Sequence, residues 1–372
     1  MYRPWISQEE EIVRSARDIR DLSHPLVNEP PLTAIRIWLF TVAGLVIAMI
    51  VVGGATRLTD SGLSITEWLP LLGVIPPLSD ADWLVAFEKY RQIPEYQLVN
   101  TGMSIAEFKF IYWWEWAHRF FGRMIGVAYA VPLLIFWSLR RIPRGLLPKL
   151  LAIFALGGLQ GFFGWYMVQS GLVERVDVSH YRLALHLVTA FVILASLVWV
   201  ALDLPGDAAK VGTPDLPSAQ RWLTAAIVAL LFLQVLVGAF VAGLKAGLTH
   251  NTWPLMDGAF VPDGLMALSP LYMNLVDNPT TVQFIHRLLA YVLVGLAIWQ
   301  TFSLNQAAKP LVTSSRVLVL VFLAQAALGI WTLLAAGNMA EIPIWLGLLH
   351  QGGGAVVLVI AIWHAHRVYR AG

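Results

Sequence analysis

Eight stretches of this 372-residue chain are apolar for about 20 residues each, the length a helix needs to cross hydrocarbon. They fall at approximately 36–56, 112–138, 148–169, 181–202, 221–243, 282–304, 315–336 and 344–366. The runs are continuous rather than alternating, so they predict helices and not barrel strands. At 58% hydrophobic and 13% charged, the chain carries more apolar surface than a soluble domain can hide. The fold class to expect is an all-α polytopic membrane protein with eight transmembrane helices. A net charge of +2 gives no reason to expect nucleic acid. The absence of cysteine excludes structural disulfides, thiolate metal sites and catalytic thiols.

Short loops set the orientation. Arg140, Arg141, Arg144 and Lys149, then Lys210 and Arg221, then Lys309 and Arg316, and finally Arg367 and Arg370 all fall on one side of an even alternation. That side is expected to be cytoplasmic, with both termini there. The first 35 residues, with Glu9, Glu10, Glu11, Arg14, Arg17, Asp18, Arg20 and Asp21, hold no apolar core of signal-peptide length and read as a cytoplasmic arm. The opposite side carries two long connections, 57–111 and 244–281, rich in Trp, Pro and Gly.

Those connections carry an internal repeat. Val52-Gly53-Gly54-Ala55 runs on to Trp68-Leu69-Pro70-Leu71, and Val237-Gly238-Ala239-Phe240 runs on to Trp253-Pro254-Leu255-Met256. Gln160 followed by Gly164 is matched by Gln325 followed by Gly329. A repeat of four helices is even, so the halves share one orientation and form two tandem four-helix bundles related by a pseudo-twofold along the membrane normal. The expected divisions are an arm at 1–35, an N-terminal half at 36–202, a cytoplasmic linker at 203–220 and a C-terminal half at 221–372.

Four histidines sit at matched places: His118, His186, His286 and His350, each in the first third of an expected span that descends from the outer side. Intramembrane ionisable residues are costly and need partners. Any one of them reads about as well as a core histidine satisfied by a hydrogen bond, but four forming two equivalent pairs read as ligands on facing helices of a bundle. With no cysteine or acidic ligand set, a bare divalent ion would be under-coordinated. Haem iron meets that difficulty, because the porphyrin supplies four nitrogens and the protein only two axial histidines. Trp113, Trp114, Trp116, Phe120, Phe121 and Trp345 would pack on a porphyrin or form an interfacial belt. Arg119 and Arg287 could neutralise haem propionates or snorkel to headgroups. His180 and His250, at helix mouths or in loops, read as structural, and His364 and His366 as solvated tail residues.

The halves differ chemically at one place. Glu115 precedes His118 by three residues on the same helical face, and its counterpart before His286 is Gln283. A carboxylate beside an iron site can move protons and an amide cannot, which suggests one reactive haem site and one that only binds or transfers electrons. Glu107 and Glu67 lie nearer the loop and are weaker candidates. Glu67 could cap a helix or pair with Arg57.

Several long motifs together resemble the haem A synthase family, closest to its alphaproteobacterial and mitochondrial branch. They are Gly53-Gly54-Ala55-Thr56-Arg57-Leu58-Thr59 with Ser61-Gly62-Leu63-Ser64-Ile65-Thr66-Glu67-Trp68, Glu107-Phe108-Lys109 with Glu115-Trp116-Ala117-His118-Arg119, Gly164-Trp165-Tyr166-Met167-Val168, Asn251-Thr252-Trp253-Pro254-Leu255-Met256, Gln283-Phe284-Ile285-His286-Arg287 and His350-Gln351. The resemblance implies conversion of haem O to haem A by two successive oxidations of the C8 methyl group, the second leaving a geminal diol that dehydrates to the formyl. It implies His118 and His186 as ligands of the substrate haem iron, Glu115 as the catalytic carboxylate, and a bis-histidine haem b between His286 and His350. It further implies a bacterial inner membrane location with the haem sites toward the periplasm, a role in cytochrome oxidase biogenesis, and the farnesyl-transferring haem O synthase as upstream partner. A homo-oligomer is left open. Some family members carry a cysteine pair in the first outer loop, so any thiol relay inferred from them does not transfer here. The rival readings are a non-catalytic di-haem b-type electron-transfer cytochrome, which would not need Glu115 in one half only, and a transporter, against which the outer depth of the histidines and the lack of matched broken helices weigh.

Overall fold

A computed structural model of the chain describes residues 32–69, 72–173, 175–204, 216–339 and 341–371. Most of the expected N-terminal arm, and Lys210 in the linker, lie outside the described residues. Ten α-helices and no strands are found among the described residues. Eight are long and apolar enough to span a membrane: α1 (Leu32–Leu58), α4 (Ile105–Ser138), α5 (Leu146–Gln169), α6 (His180–Asp203), α7 (Ser218–Gly243), α8 (Pro279–Ser303), α9 (Lys309–Met339) and α10 (Ile344–Tyr369). The chain is a multi-pass membrane protein. Two short helices, α2 (Asp80–Tyr90) and α3 (Pro94–Leu98), lie in the first long connection.

Helix ends depart from the apolar runs where capping chemistry extends them. α4 starts at Ile105 because Ser104 and Glu107 form a capping box, with the Ser104 side chain accepting from the Glu107 N–H and the Glu107 carboxylate accepting from Ser104. Glu107 is thereby a helix cap. It also follows that His118 falls past the first third of α4 rather than within it. α8 is opened by Asn278, whose side chain accepts from Thr280 N and Thr281 N. α10 runs to Tyr369, and His364 and His366 lie within the bundle rather than in a solvated tail. His364 is buried, with hydrogen bonds to Ser314 and Gln300, and His366 packs edge-on against Trp199.

Packing follows the repeat. In the first half α1 contacts α4 and α6, and α5 contacts α4 and α6. In the second, α7 contacts α8 and α10, and α9 contacts α8 and α10. Across the halves α6 meets α7, α10 meets α1, and α6 meets α10. The buried apolar core lies along this seam, with Leu39, Leu194, Leu197 and Leu358 among its fully buried side chains. Helices in lipid gain little from burying apolar surface against one another, so close packing and small residues do the work. The outward faces stay apolar, as Val127, Val131, Leu134 and Ile135 on α4 illustrate.

The first long connection folds into an aromatic cap. Trp83, Phe87, Tyr90, Tyr96, Phe108 and Tyr112 form a separate core, with Trp83 edge-on to Tyr112 at 4.9 Å and Phe87 5.0 Å from Phe108. Such pairs contribute about 0.5–1.5 kcal/mol each beyond area burial. Glu67 pairs with Lys89 at 2.8 Å, whereas Arg57 pairs with Asp60 and Asp177, so the expected Glu67–Arg57 pair does not form.

Candidate functional site

Each of the four histidines faces a glycine on the neighbouring helix. A Cβ at Gly53 of α1 would lie 3.5 Å from His118, and one at Gly238 of α7 would lie 3.0 Å from His286. At Gly164 of α5 it would lie 3.1 Å from His186, and at Gly329 of α9 it would lie 2.8 Å from His350. The glycines that mark the sequence repeat are therefore seats for imidazole rings. Three of the rings also touch a glutamine amide: His186 with Gln160 at 3.3 Å, His286 with Gln234 at 3.4 Å, and His350 with Gln325 at 3.1 Å. His118 has no such partner among the described residues. One turn before Gly53 stands Met49, where α7 has Gln234 one turn before Gly238. This difference lay in the sequence beside the matched glycines.

His286 and His350 stand with ring centroids 6.4 Å apart and planes at 76°. Metal–imidazole bonds of about 2 Å on either side of one iron, plus the half-width of each ring, set a centroid separation of about 6 Å. The Nδ1 atoms of His186 and His286 are buried without a hydrogen-bond partner, although buried polar atoms are ordinarily satisfied. No group of three or more His, Cys, Asp or Glu able to hold a bare metal ion occurs among the described residues. Two facing imidazoles, His286 with a buried unpartnered Nδ1, fit a metal that brings its own equatorial ligands.

In the first half, α1, α4, α5 and α6 enclose a cavity of about 680 Å³ lined by His118, His186, Glu115, Arg119 and Gln160. That is within the size range of small-molecule and cofactor sites. Its wall continues along apolar side chains of α1 and α6, including Val42, Val46, Ile193 and Leu197. Gln351 of α10 also lines it, so consecutive residues His350 and Gln351 serve the two halves. Of the aromatics expected against a porphyrin, Trp113, Trp114, Trp116, Phe120, Phe121 and Trp345 are absent from the lining; Trp68, Tyr129 and Phe154 are present instead. Trp113 packs on Trp83 and Trp116, Trp116 stacks on Phe120 at 4.9 Å, and Trp345 meets Trp331. They lie on faces of α4 and α10 other than the one that carries Glu115, His118 and Arg119 into the cavity.

Glu115 is 2% exposed and accepts four hydrogen bonds. Its Oε1 takes Arg119 Nε at 3.0 Å and Nη2 at 2.5 Å, and its Oε2 takes Ser64 Oγ at 2.8 Å and the Ile65 N–H at 2.7 Å. Arg119 also donates to the carbonyls of Ile65 and Glu67. The pair fastens the first long connection over the cavity. With its side chain only 12% exposed, Arg119 does not snorkel. In the second half, Arg287 donates to the carbonyls of His250 and Thr252, and Gln283 donates to His250 O. The same fastening is thus built with a carboxylate in one half and an amide in the other. His250 contacts Asp257 at 2.7 Å and His180 contacts Asp277 at 3.0 Å, structural roles both.

Comparison with known proteins gives a consistent result. The family profile COX15-CtaA, described as cytochrome oxidase assembly protein, matches residues 36–362. The haem A synthase of Parvibaculum lavamentivorans is 51% identical over 337 residues, covering 90% of this chain and 94% of the relative. That of Chelativorans is 52% identical over 333 residues, covering 89% and 90%. That of Brucella abortus is 47% identical over 339 residues, covering 91% and 92%.

Proposed function

This chain belongs to the cytochrome oxidase assembly family COX15-CtaA, and from that premise we propose that it is a haem A synthase, oxidising the C8 methyl group of haem O to a formyl. The observation that carries the reading is the contrast between halves. Both present a glycine-backed histidine pair, and the first encloses a cavity with a carboxylate, Glu115, on its wall, where the matched position of the second holds the amide of Gln283. A di-haem electron-transfer cytochrome has no use for that difference.

The substrate haem is assigned to the half spanning 36–202, with His118 and His186 toward its iron and Glu115 as the catalytic carboxylate. The apolar walls suit a farnesyl tail. The half spanning 221–372 is assigned to haem b between His286 and His350, with 203–220 as the linker. Haem b, when bound, supplies one-electron transfer. Gln234 and Gln325 fix the orientation of its two histidines, since the partner on an imidazole's second nitrogen sets its tautomer and basicity. Four of the five N–H groups of Arg119 are committed to Glu115 and the first loop, so any hydrogen bond to a propionate falls to the fifth. Arg287 is assigned the equivalent place in the other half. The matched helix contacts support a pseudo-twofold relation of the halves. The basic residues at the short-loop end support cytoplasmic termini, with the haem sites toward the periplasmic side of a bacterial inner membrane. Haem O synthase, a farnesyltransferase, is the proposed upstream partner.

Pigment extraction after expression in cells that supply haem O tests the activity. Haem A or its hydroxymethyl precursor alongside haem B is expected; two equivalents of haem B with no conversion would sink the proposal. The seats give a second test. Gly329→Ala forces its Cβ to within 2.8 Å of His350, overpacking that costs about 1–3 kcal/mol. Haem B content is therefore expected to fall in Gly329→Ala, whereas Gly53→Ala, beside His118 in the other half and at an ordinary 3.5 Å, leaves it unchanged. Equal haem B in both variants refutes the seating role.

A further inference from the structure

Besides Glu115, three carboxyl groups line the first-half cavity, Asp60, Glu95 and Asp177, and one of them is buried on the cap rather than on a spanning helix. Glu95 lies in α3 and is 6% exposed. Its Oε2 is buried with no hydrogen-bond partner, and the buried Tyr90 of α2 acts on its carboxyl. Tyr90 OH in turn accepts from Asn100 Nδ2 at 2.7 Å. Asn100, with Thr101 and Glu107, lines a second, open pocket of about 490 Å³ on the outer surface. One buried hydroxyl therefore separates the Glu95 carboxyl, on the cavity wall, from that outer pocket.

The charged groups around Glu95 favour a bound proton. Asp60 after α1, Glu115 on α4 and Asp177 before α6 all raise its proton affinity, and Tyr90 opposes them. Arg57, which also lines the cavity, is held by Asp60 at 2.9 Å and reaches Asp177 at 3.8 Å. Burial is the largest cause, and together these hold the Glu95 carboxyl well above the usual range, at about 8. A carboxyl poised near neutrality can take up and release protons at working pH. Glu115, by contrast, has both oxygens engaged by four donors of the loop fastening.

We infer that Glu95 is the proton-transfer group of the cavity, accepting protons released by oxidation of the bound substrate and passing them toward the outer pocket. The inference rests on the reading of that cavity as the oxidation site. The step is a proton transfer alone. A carboxylate oxygen of Glu95 takes a proton from water or a hydroxyl in the cavity, an O–H bond forms, and the same proton is later given to water on the Tyr90–Asn100 side. No electrons move in it.

The test uses the full-length protein in lipid nanodiscs and has two arms. Infrared difference spectra against pH, taken without substrate, are expected to show a protonated-carboxyl band that titrates away with a midpoint near 8, vanishes in Glu95→Gln and shifts in Tyr90→Phe. A band that survives Glu95→Gln, or no band in the unaltered protein, overturns the assignment. In the second arm Glu95→Gln is expected to slow conversion by at least about 10-fold with haem B content unchanged, and Glu95→Asp to restore part of the rate. Full conversion in Glu95→Gln with an unchanged pH profile overturns the transfer role. If the unaltered protein converts nothing, the functional proposal has failed, while the infrared arm still reports on Glu95.

Discussion

Glu115→Gln is expected to lower haem A formation by about 10²–10⁴-fold, the usual worth of a positioned acid or base, while the haem B spectrum persists. The structure supplies both the reason and the complication. Gln283 occupies the matched position in the other half, so an amide fits this place on the helix. The surroundings differ, however. At Gln283 the loop offers a carbonyl, His250 O; at Glu115 it offers donors, from Ser64 and Ile65, beside the Arg119 cation. An amide at 115 would leave Arg119 buried without its counter-charge, and breaking a buried ion pair from one side costs about 3–5 kcal/mol. Loss of activity in the single variant could therefore arise from a loosened loop. The double variant Glu115→Gln with Arg119→Gln separates the two causes, because it replaces the ion pair with a neutral hydrogen-bonding pair. If the carboxylate acts chemically, the double variant folds with normal haem B and remains inactive. Recovery of haem A formation in it would show that Glu115 only holds the loop, and the catalytic assignment would fall.

What the sequence discloses here follows from which interactions are local. The eight spans are legible because crossing hydrocarbon imposes a length and composition on one continuous stretch. The pairs Gly53/Gly238 and Gly164/Gly329, and Gln160/Gln325, are visible as repeat markers. That each glycine seats a ring depends on helix–helix approach, which no single stretch encodes. Gln234 escapes notice for a different reason: its matched position holds Met49, so it does not repeat. The loop fastening joins Glu115 to Ser64 and Ile65, about fifty residues away, beyond any periodicity. Glu95 is invisible in sequence because the first connection reads as an irregular loop, and only its collapse into α2, α3 and an aromatic core buries that side chain. The apparent tail histidines follow the same logic, since the packing of α10 against α9, which no single stretch encodes, places His364 against Ser314.

His286→Ala and His350→Ala are each expected to abolish the haem B spectrum, with protein accumulation retained. The rings face one another at 6.4 Å between centroids, so removing either would leave the proposed haem b with a single histidine. Loss of a buried imidazole also opens a cavity beside Gly238 or Gly329, yet each of those helices packs against both α8 and α10, which is why the fold should survive. Graded variants strengthen the inference. Gln325→Leu removes the amide 3.1 Å from His350 without touching the ring, and loss of such an orienting partner typically weakens metal affinity by about 10–100-fold. Gln234→Leu should act likewise on His286. The first-half pair behaves differently: His186→Ala should eliminate substrate turnover but leave the haem B spectrum in place, because its cavity lies in the other half. The measurement is the reduced-minus-oxidised absorbance of purified variants, set beside pigment content. Haem B persisting at full occupancy in both His286→Ala and His350→Ala, or vanishing equally in His186→Ala, would break the division of labour between the two halves.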